Sequence, residues 1–455
     1  MSQPETGDKV FAHIDREANE YVKVLRKLIR QQSISTSGLG VEECAKLVKE
    51  LLNENGFRSK LIQFDKGAPI VYGESRPFDK EKTLLFYSHY DVVPPEPLDQ
   101  WIHGPFESKV IGNKIIGRGS ADTKCSIAAY ILGAAAVLNV AGELPSNIRF
   151  VFEGEEEISS QNLSACLKER PSFMKADAML WEASKISSSG RPTIYAGLKG
   201  SLYMDLYVRS ARSDQHSLWA PIVTNPAWRL VWALNSIKNG QGRVLIEGFY
   251  DELEEPGVEE VKAMNSIEFD ETELRRTFGI DEFLNRLKGV ELVKALVFDP
   301  TCTICGFNSG YGGESIKTIN PAKAVAKLDF RLVPNQSCQE VLKKLLHHLD
   351  KGGFDDVEVK VLRMAEAIRT RLDSRIVKVT ANTAQKLFGS KACMWPMSPG
   401  SAVPISLFWN LMGIPSVSGP CMVHPEGNAH APNENILIPN YIRGIKHLAS
   451  IIMNF

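Results

Sequence analysis

The 455-residue chain has no run approaching the roughly 18 apolar residues that a membrane span requires, so no membrane association is expected. Its opening, Met1-Ser2-Gln3-Pro4-Glu5, has neither a basic segment nor an apolar one, so a signal peptide is not expected and the reading is a cytoplasmic protein. Net charge is nearly absent. The 53 Lys and Arg residues against 54 Asp and Glu leave a formal −1, with no general field to draw in nucleic acid. Cysteine is sparse: Cys44, Cys125, Cys166, Cys302, Cys305, Cys338, Cys393 and Cys421 are scattered in a way that suits free, mostly buried thiols better than a disulfide framework. Cys302-Thr303-Ile304-Cys305 stands alone, without the second pair that a zinc ribbon needs. Gly310-Tyr311-Gly312-Gly313 lacks the Lys-Ser/Thr that follows in a phosphate loop. There is no internal repeat and no low-complexity tract.

What is present is a layered pattern. Length alone suggests about three domains at about 150 residues each, and the order of elements reduces this to two. Helical periodicity marks Asp15 to Gln31 and Val41 to Leu52, the latter stopping at Asn55-Gly56. Strands are expected at Lys60 to Phe64, Pro69 to Tyr72, Thr83 to Ser88 and Ile148 to Phe152, with a buried helix from Ile127 to Val140. Thr83 to Ser88 is continuously apolar rather than alternating, as a strand covered on both faces must be. From about Thr193 the style changes. Leu202 to Val208 alternates, as a strand with one solvated face does, and helices (Pro226 to Ile237, Cys338 to Leu349) and strands (Lys323 to Leu332, Asp356 to Leu362) follow. A charged region spans Asp251 to Asn285. Helix Arg375 to Phe388, strand Pro415 to Gly419 and helix Tyr441 to Met453 return to the first style. The expected fold is therefore α/β: a discontinuous, mostly parallel-sheet domain with helices on both faces (1–196 and 366–455), interrupted by an α+β insert (197–365).

Chemistry concentrates at strand ends. His89 and Asp91 follow the Thr83 run, at the carboxyl edge where open α/β sheets bind ligands. Glu153, Glu155, Glu156 and Glu157 follow the Ile148 run, and Asp122 sits alone in a Gly/Ser-rich turn. A Glu triplet can be no more than a solvated helix start. Here it comes directly off a buried strand, and clustered carboxylates that repel one another are relieved by a cation, so a metal site is expected.

Taken together, Ser88-His89-Tyr90-Asp91-Val92-Val93-Pro94, Gly117 to Lys124, Glu153 to Glu157, Asp214-Gln215-His216-Ser217, Lys317 to Pro321, Phe330 to Pro334 and the loop of His430 resemble the M20 family of zinc peptidases and amidohydrolases. That group includes glutamate carboxypeptidase, aminoacylase, acetylornithine deacetylase and the cytosolic dipeptidases. The likeness runs in the family's order over nearly the whole chain. It implies two Zn2+ ions, with Co2+ or Mn2+ as alternatives: His89 and Glu182 for one, Glu157 and His430 for the other, and Asp122 bridging. It further implies Glu156 as general base, Asp91 as the partner that orients His89, Arg331 and Thr318 as holders of a substrate α-carboxylate, and His216 as a carbonyl-polarising residue reaching across a homodimer formed through the insert.

Four of these have a plainer alternative. Asp91 could cap the turn before Pro94, Glu182 could be an ordinary strand-end acid, Arg331 a surface ion-pair former, and His216 a turn cap. Two positions depart from the family pattern: Leu218 stands where a glycine is common, and Ala402 where a carboxylate-binding serine is common, so that either Ser401 beside it substitutes or the carboxylate is held by Arg331 and backbone amides. Glu182 tilts the expectation towards a carboxypeptidase or N-acyl amino acid amidohydrolase, acting on a short peptide or N-acyl amino acid, with a dipeptidase or aminopeptidase as the alternative. A non-catalytic binding relative would be expected to have lost the base or a ligand, and all six positions are filled.

Overall fold

The computed structural model describes residues 3–455. The apolar run at Thr83–His89 lies inside a six-stranded sheet ordered Arg58–Ile62, Ile70–Glu74, Asn147–Glu153, Thr83–His89, Ala178–Trp181, Ser416–Ser418. Only Ile70–Glu74 runs against the rest. Every residue of Thr83–His89 is buried, because successive side chains enter two different cores. Leu84 and Phe86 pack with the helices Lys124–Ala141 and Ile438–Asn454, while Leu85 and Tyr87 pack with Gln161–Glu169 and Val403–Met412. Phe86 stacks on Tyr130 with ring centroids 4.8 Å apart; truncating such a side chain to alanine costs about 3–5 kcal/mol.

The buried helix expected at Ile127 to Val140 is present as Lys124–Ala141, but the expectation that no run approaches the length of a membrane span needs correction. This 18-residue helix is long and apolar enough to cross a membrane by length and composition, yet 78% of it is buried inside the protein. It is a core helix, rich in small residues that let the terminal helix come close: a Cβ added at Gly133 would meet Leu448 Cδ2 at 2.9 Å. The single helix expected over Asp15 to Gln31 is two, Gln3–Arg16 and Ala18–Arg30, broken at Glu17.

The insert is built on an antiparallel sheet ordered Thr301–Ser309, Lys323–Leu332, Gly200–Arg209, Glu358–Ala365. Leu202, Met204, Leu206 and Val208 face the helices Pro226–Ile237 and Cys338–Lys351, while Tyr203, Asp205 and Tyr207 on the other face stay half-exposed. That one-sided cover is what the alternation encoded. The charged stretch after Asp251 forms two short helices, Val258–Asn265 and Glu271–Phe278. Buried apolar residues of the two large-sheet cores come from positions up to Leu198 and from Ile368 onward, and those of the insert's core lie between Leu202 and Val357. On that ground we propose the boundaries 1–196, 197–365 and 366–455.

One buried histidine ties the terminal helix to its neighbours. His447 accepts the backbone N–H of Cys421 at Nδ1 (3.3 Å), which leaves Nε2 to donate to the Thr380 carbonyl at 3.0 Å. Acceptance at Nδ1 needs the neutral ring, and burial pushes its pKa down to about 4 even though the Thr380 carbonyl pulls the other way. The unfolded chain takes up this proton below about pH 6.5 while the native state resists it. Stability therefore falls as pH drops from about 6.5 to about 4, by on the order of 3 kcal/mol from this group. Thermal unfolding of His447→Gln should lose less of its midpoint than wild type between pH 7 and 4.5; identical acid limbs in both proteins would exclude His447 as a source of acid sensitivity.

Candidate active site

Three parallel strands end at one edge of the large sheet, and their ends carry the site. His89 closes its strand in register with Glu153, the last residue of its neighbour. Beyond Glu153 the chain makes a tight turn at Glu156–Ile158, and Glu182 follows directly after Ala178–Trp181. Asp122 arrives from the turn that enters the Lys124–Ala141 helix. His430 arrives from the loop preceding Asn435–Leu437, a strand that pairs with Lys114–Ile116 and so brings residues distant in the chain beside the Asp122 turn.

The structure brings the six expected acid and imidazole groups together. Asp122 lies between two imidazoles: Oδ1 is 3.3 Å from His89 Nε2 and Oδ2 is 3.0 Å from His430 Nε2. Glu182 Oε1 lies 3.7 Å from His89 Nε2, and Glu157 Oε1 lies 3.0 Å from His430 Nε2. Three overlapping donor sets result, namely His89, Asp122 and Glu182; His89, Glu156 and Glu157; and Asp122, Glu157 and His430, each with its ligand atoms within 4.8 Å of one another.

Electrostatics describes a site short of positive charge. Burial, then the neighbouring acids, raises Glu156 to about 7 and Glu182 to about 8, with His89 opposing both. His430 is pushed up to about 10 by hydrogen bonds to Asp122 and Glu157. Asp122 is half-buried, and desolvation alone would raise it, but hydrogen bonds from His430 and His89 outweigh this and hold its carboxyl well below the usual range. Protons thus gather where cations would satisfy the same acids. Glu182 Oε1 is buried without a hydrogen-bond partner, an unmet acceptor in a cluster of nitrogen and carboxylate donors. The residues present fit divalent metal of the zinc, cobalt or manganese kind.

Asp91 does more than the sequence suggested. Its backbone carbonyl lies 3.1 Å and its Oδ1 3.3 Å from His89 Nδ1, so both hold the ring, as a carboxylate beside a ligating histidine does. The same carboxylate accepts the backbone N–H of Glu156 at 3.2 Å and of Glu157 at 3.1 Å, so one buried acid orients the imidazole and both glutamates. No sequence spacing links Asp91 to residues 65 positions away; only the parallel register does.

The insert's residues form two separate pairs, and among the described residues neither makes a hydrogen bond or ion pair to the acidic cluster. Arg331 donates from Nη1 to Ser401 Oγ at 3.1 Å and from Nε to Asp329 Oδ2 at 2.7 Å, and Asp329 in turn accepts from Ser201 at 3.0 Å. Ser401 is thus the residue that meets Arg331, while Ala402 packs against the second core of the large sheet. Sequence reasoning missed Asp329 and Ser201, although strand alternation places Asp329 on the same face as Arg331. His216 lies 3.4 Å from Thr318 Oγ1 and accepts the N–H of Leu218 at 3.1 Å, so it does cap the following turn. Leu218 is tolerated there because its side chain is exposed.

The comparisons with known proteins agree with this geometry. A model of peptidase family M20/M25/M40 matches residues 85–454. The chain belongs to peptidase family M20, and it is accordingly a metallopeptidase, a metal-dependent hydrolase. Beta-Ala-His dipeptidase of Homo sapiens is 26% identical to it over 475 residues, covering 98% of this chain and 92% of that protein. Cys-Gly metallodipeptidase DUG1 of Saccharomyces cerevisiae is 26% identical over 477 residues, covering 98% and 97%. A solved structure described as an M20 family metallo-carboxypeptidase, Sso-CP2 from Sulfolobus solfataricus, superposes with a TM-score of 0.90 at 36% identity, over 96% of this chain and 99% of that one.

Two substitutions test the roles expected of Glu156 as base and of Asp122 as bridging ligand. Glu156→Gln should keep near-normal metal content and lose turnover by about 100- to 10,000-fold, since it removes a proton acceptor and leaves the other donors in place. Asp122→Ala should lose metal, measured by elemental analysis after gel filtration. Strong residual activity in the first variant would move the base elsewhere; tight retention of two ions in the second would refute the bridge.

Proposed function

We propose that the chain is a dizinc dipeptidase that cleaves the amide bond of short unblocked peptides with a free α-carboxylate. What carries the reading is the cluster around Asp122, whose two oxygens face His89 and His430, with Glu156 beside it. His89 and Glu182 would hold one ion, Glu157 and His430 the other, and Asp122 both. When bound, the ions supply Lewis-acid polarisation of the scissile carbonyl and a lowered pKa for the attacking water. Glu156, which lies with His89 and Glu157 in the cluster, is suited to take the water's proton and to pass it to the leaving amine nitrogen. Asp91 keeps His89 and the Glu156 turn aligned. Arg331, steadied by Asp329 and Ser401, would grip the α-carboxylate with a planar guanidinium, with Thr318 supplying a hydroxyl.

The sequence reading ranked a carboxypeptidase or N-acyl amino acid hydrolase first. The dipeptidase relatives, which cover 98% of the chain, favour the alternative. The carboxypeptidase reading stays second because of the 36% identity to Sso-CP2. Both activities use a free carboxylate, so only the amino end discriminates. On β-Ala-His and Cys-Gly against their N-acetyl derivatives, kcat/KM should favour the free amine by more than about 10-fold, as expected of a site that hydrogen-bonds a polar group. Preference for the acetylated compounds would install the second reading.

We further propose a homodimer in which His216 serves the partner's site, stabilising the oxyanion. It is supported by exposed apolar residues close to His216 in the chain, Leu218, Trp219 and Ile222, and by Trp228, Val231 and Trp232 on the helix Pro226–Ile237. Mixing Glu156→Gln with His216→Ala chains should restore part of the activity through hybrid dimers. No recovery despite demonstrated subunit exchange would confine His216 to its turn. The eight unpaired cysteines suit a reducing compartment, and a cytoplasmic location is kept as part of the proposal.

A further inference from the structure

Behind the metal-ligand cluster lies an ion pair that no step above uses. The side chains of Arg118 and Glu434 are 1% and 0% exposed and meet at 2.8 Å. A buried pair of this kind is rarely a net source of stability, since desolvation offsets the attraction and apolar residues of similar volume fill the space as well. What apolar residues could not do is accept hydrogen bonds, and Glu434 accepts three from one backbone turn. Its Oε1 takes the N–H groups of Ala121 (2.8 Å) and Asp122 (2.9 Å), and its Oε2 takes that of Gly119 (2.9 Å) together with the guanidinium. The turn is tight enough to need glycine at 119, where φ is +85° and a Cβ would meet Val92 Cγ1 at 3.0 Å and Lys124 Cδ at 3.1 Å.

Arg118 extends the clasp to two other loops. Nη1 also reaches the carbonyl of Ala431, next to His430, at 3.3 Å, and Nη2 reaches the carbonyl of Pro94, beyond His89 and Asp91, at 3.4 Å. The guanidinium lies 5.4 Å from the centroid of the Trp101 ring, which is itself tied back by its indole N–H to the Pro95 carbonyl at 2.7 Å. Backbone adds a further link, Gly117 N–H to the Glu434 carbonyl at 2.8 Å. His430 sits in the left-handed region at φ +61°, a conformation a non-glycine residue holds only when its surroundings fix it.

We infer that Arg118 and Glu434 are a positioning pair for the metal centre: the carboxylate sets the orientation of Asp122, and the pair together sets the spacing of the loops that carry His89, Asp122 and His430. The inference rests on the reading of those three residues as ligands. Neither residue is placed to touch substrate.

The test measures metal affinity and apoprotein stability separately. Glu434→Gln alone leaves Arg118 buried without its counter-charge, so the informative variant is the double Arg118→Met, Glu434→Gln, which removes both charges; Glu434→Asp keeps the charge on a shorter arm. Zn2+ affinity is read by competition with a chromophoric chelator, ligand geometry by the visible absorption of Co2+-loaded protein, and stability by thermal unfolding of the metal-free protein. The expected result is a Zn2+ affinity lower by about 10- to 100-fold and an altered Co2+ spectrum in both variants, as for loss of groups that orient ligands, with apoprotein unfolding of the double variant close to wild type. Wild-type affinity and spectrum in folded variants would overturn the inference while leaving the ligand assignment intact. Failure of both variants to fold would make the pair a folding device and overturn it as well. Wild-type protein that binds neither Zn2+ nor Co2+ would overturn the ligand assignment itself.

Discussion

Four carboxylates, Asp122, Glu156, Glu157 and Glu182, converge with two imidazoles at the edge of a buried sheet, and without added positive charge that gathering is unfavourable. Like charges in a poorly solvated place raise one another's pKa or recruit cations. Burial and the neighbouring acids push Glu156 and Glu182 up towards neutrality, and hydrogen bonds to Asp122 and Glu157 push His430 up as well. Membership of a metallopeptidase family supplies the second. Much of the rest of the chain is arranged to keep these groups from moving apart.

Parallel strands make this possible. Because Thr83–His89, Asn147–Glu153 and Ala178–Trp181 run the same way, their carboxyl ends fall on one edge, and residues 65 positions apart become hydrogen-bond neighbours. Helices on both faces exclude water from the strands but leave the edge free. The insert contributes none of the clustered acids or imidazoles. It carries Arg331, Thr318 and His216 on its own elements; in the proposed reading, the chemistry and the reading of the substrate are therefore housed in different layers of the molecule.

How much of this was legible in the sequence depends on the range of the physics involved. Strands covered on two faces announce themselves as unbroken apolar runs, and the insert sheet as alternation, so the fold class and the helices Pro226–Ile237 and Arg375–Phe388 could be read to the residue. The break at Glu17 could not, since apolar periodicity continues through it. Lys124–Ala141 shows the opposite limit: composition alone does not tell a core helix from a membrane span, and only burial by the terminal helix decides. At the site, residue types and motif order were enough to nominate all six acid and imidazole positions. What stayed hidden were hydrogen bonds made by acids to distant backbone, from Asp91 to the Glu156 turn and from Glu434 to the Asp122 turn, because a backbone N–H has no signature in sequence.

The separation of layers also explains why relatives with different printed activities resemble this chain over nearly its full length. A human dipeptidase and an archaeal metallo-carboxypeptidase each cover more than nine-tenths of it. Amide hydrolysis demands the same polarised carbonyl and the same proton acceptor whatever lies on either side of the bond, so the edge cluster is constrained as a unit. Discrimination between a free and an acylated amine demands only that one polar group be satisfied or left unpaired, which a few side chains on an adjoining element can change. In the proposed reading, specificity can therefore diverge on the insert and its contacts, such as Arg331 with Ser401, without disturbing the ligands. If Ser401 takes the part of a serine at position 402, it is a change of that kind: it sets a hydroxyl one residue away, against Arg331, and leaves the acidic cluster untouched.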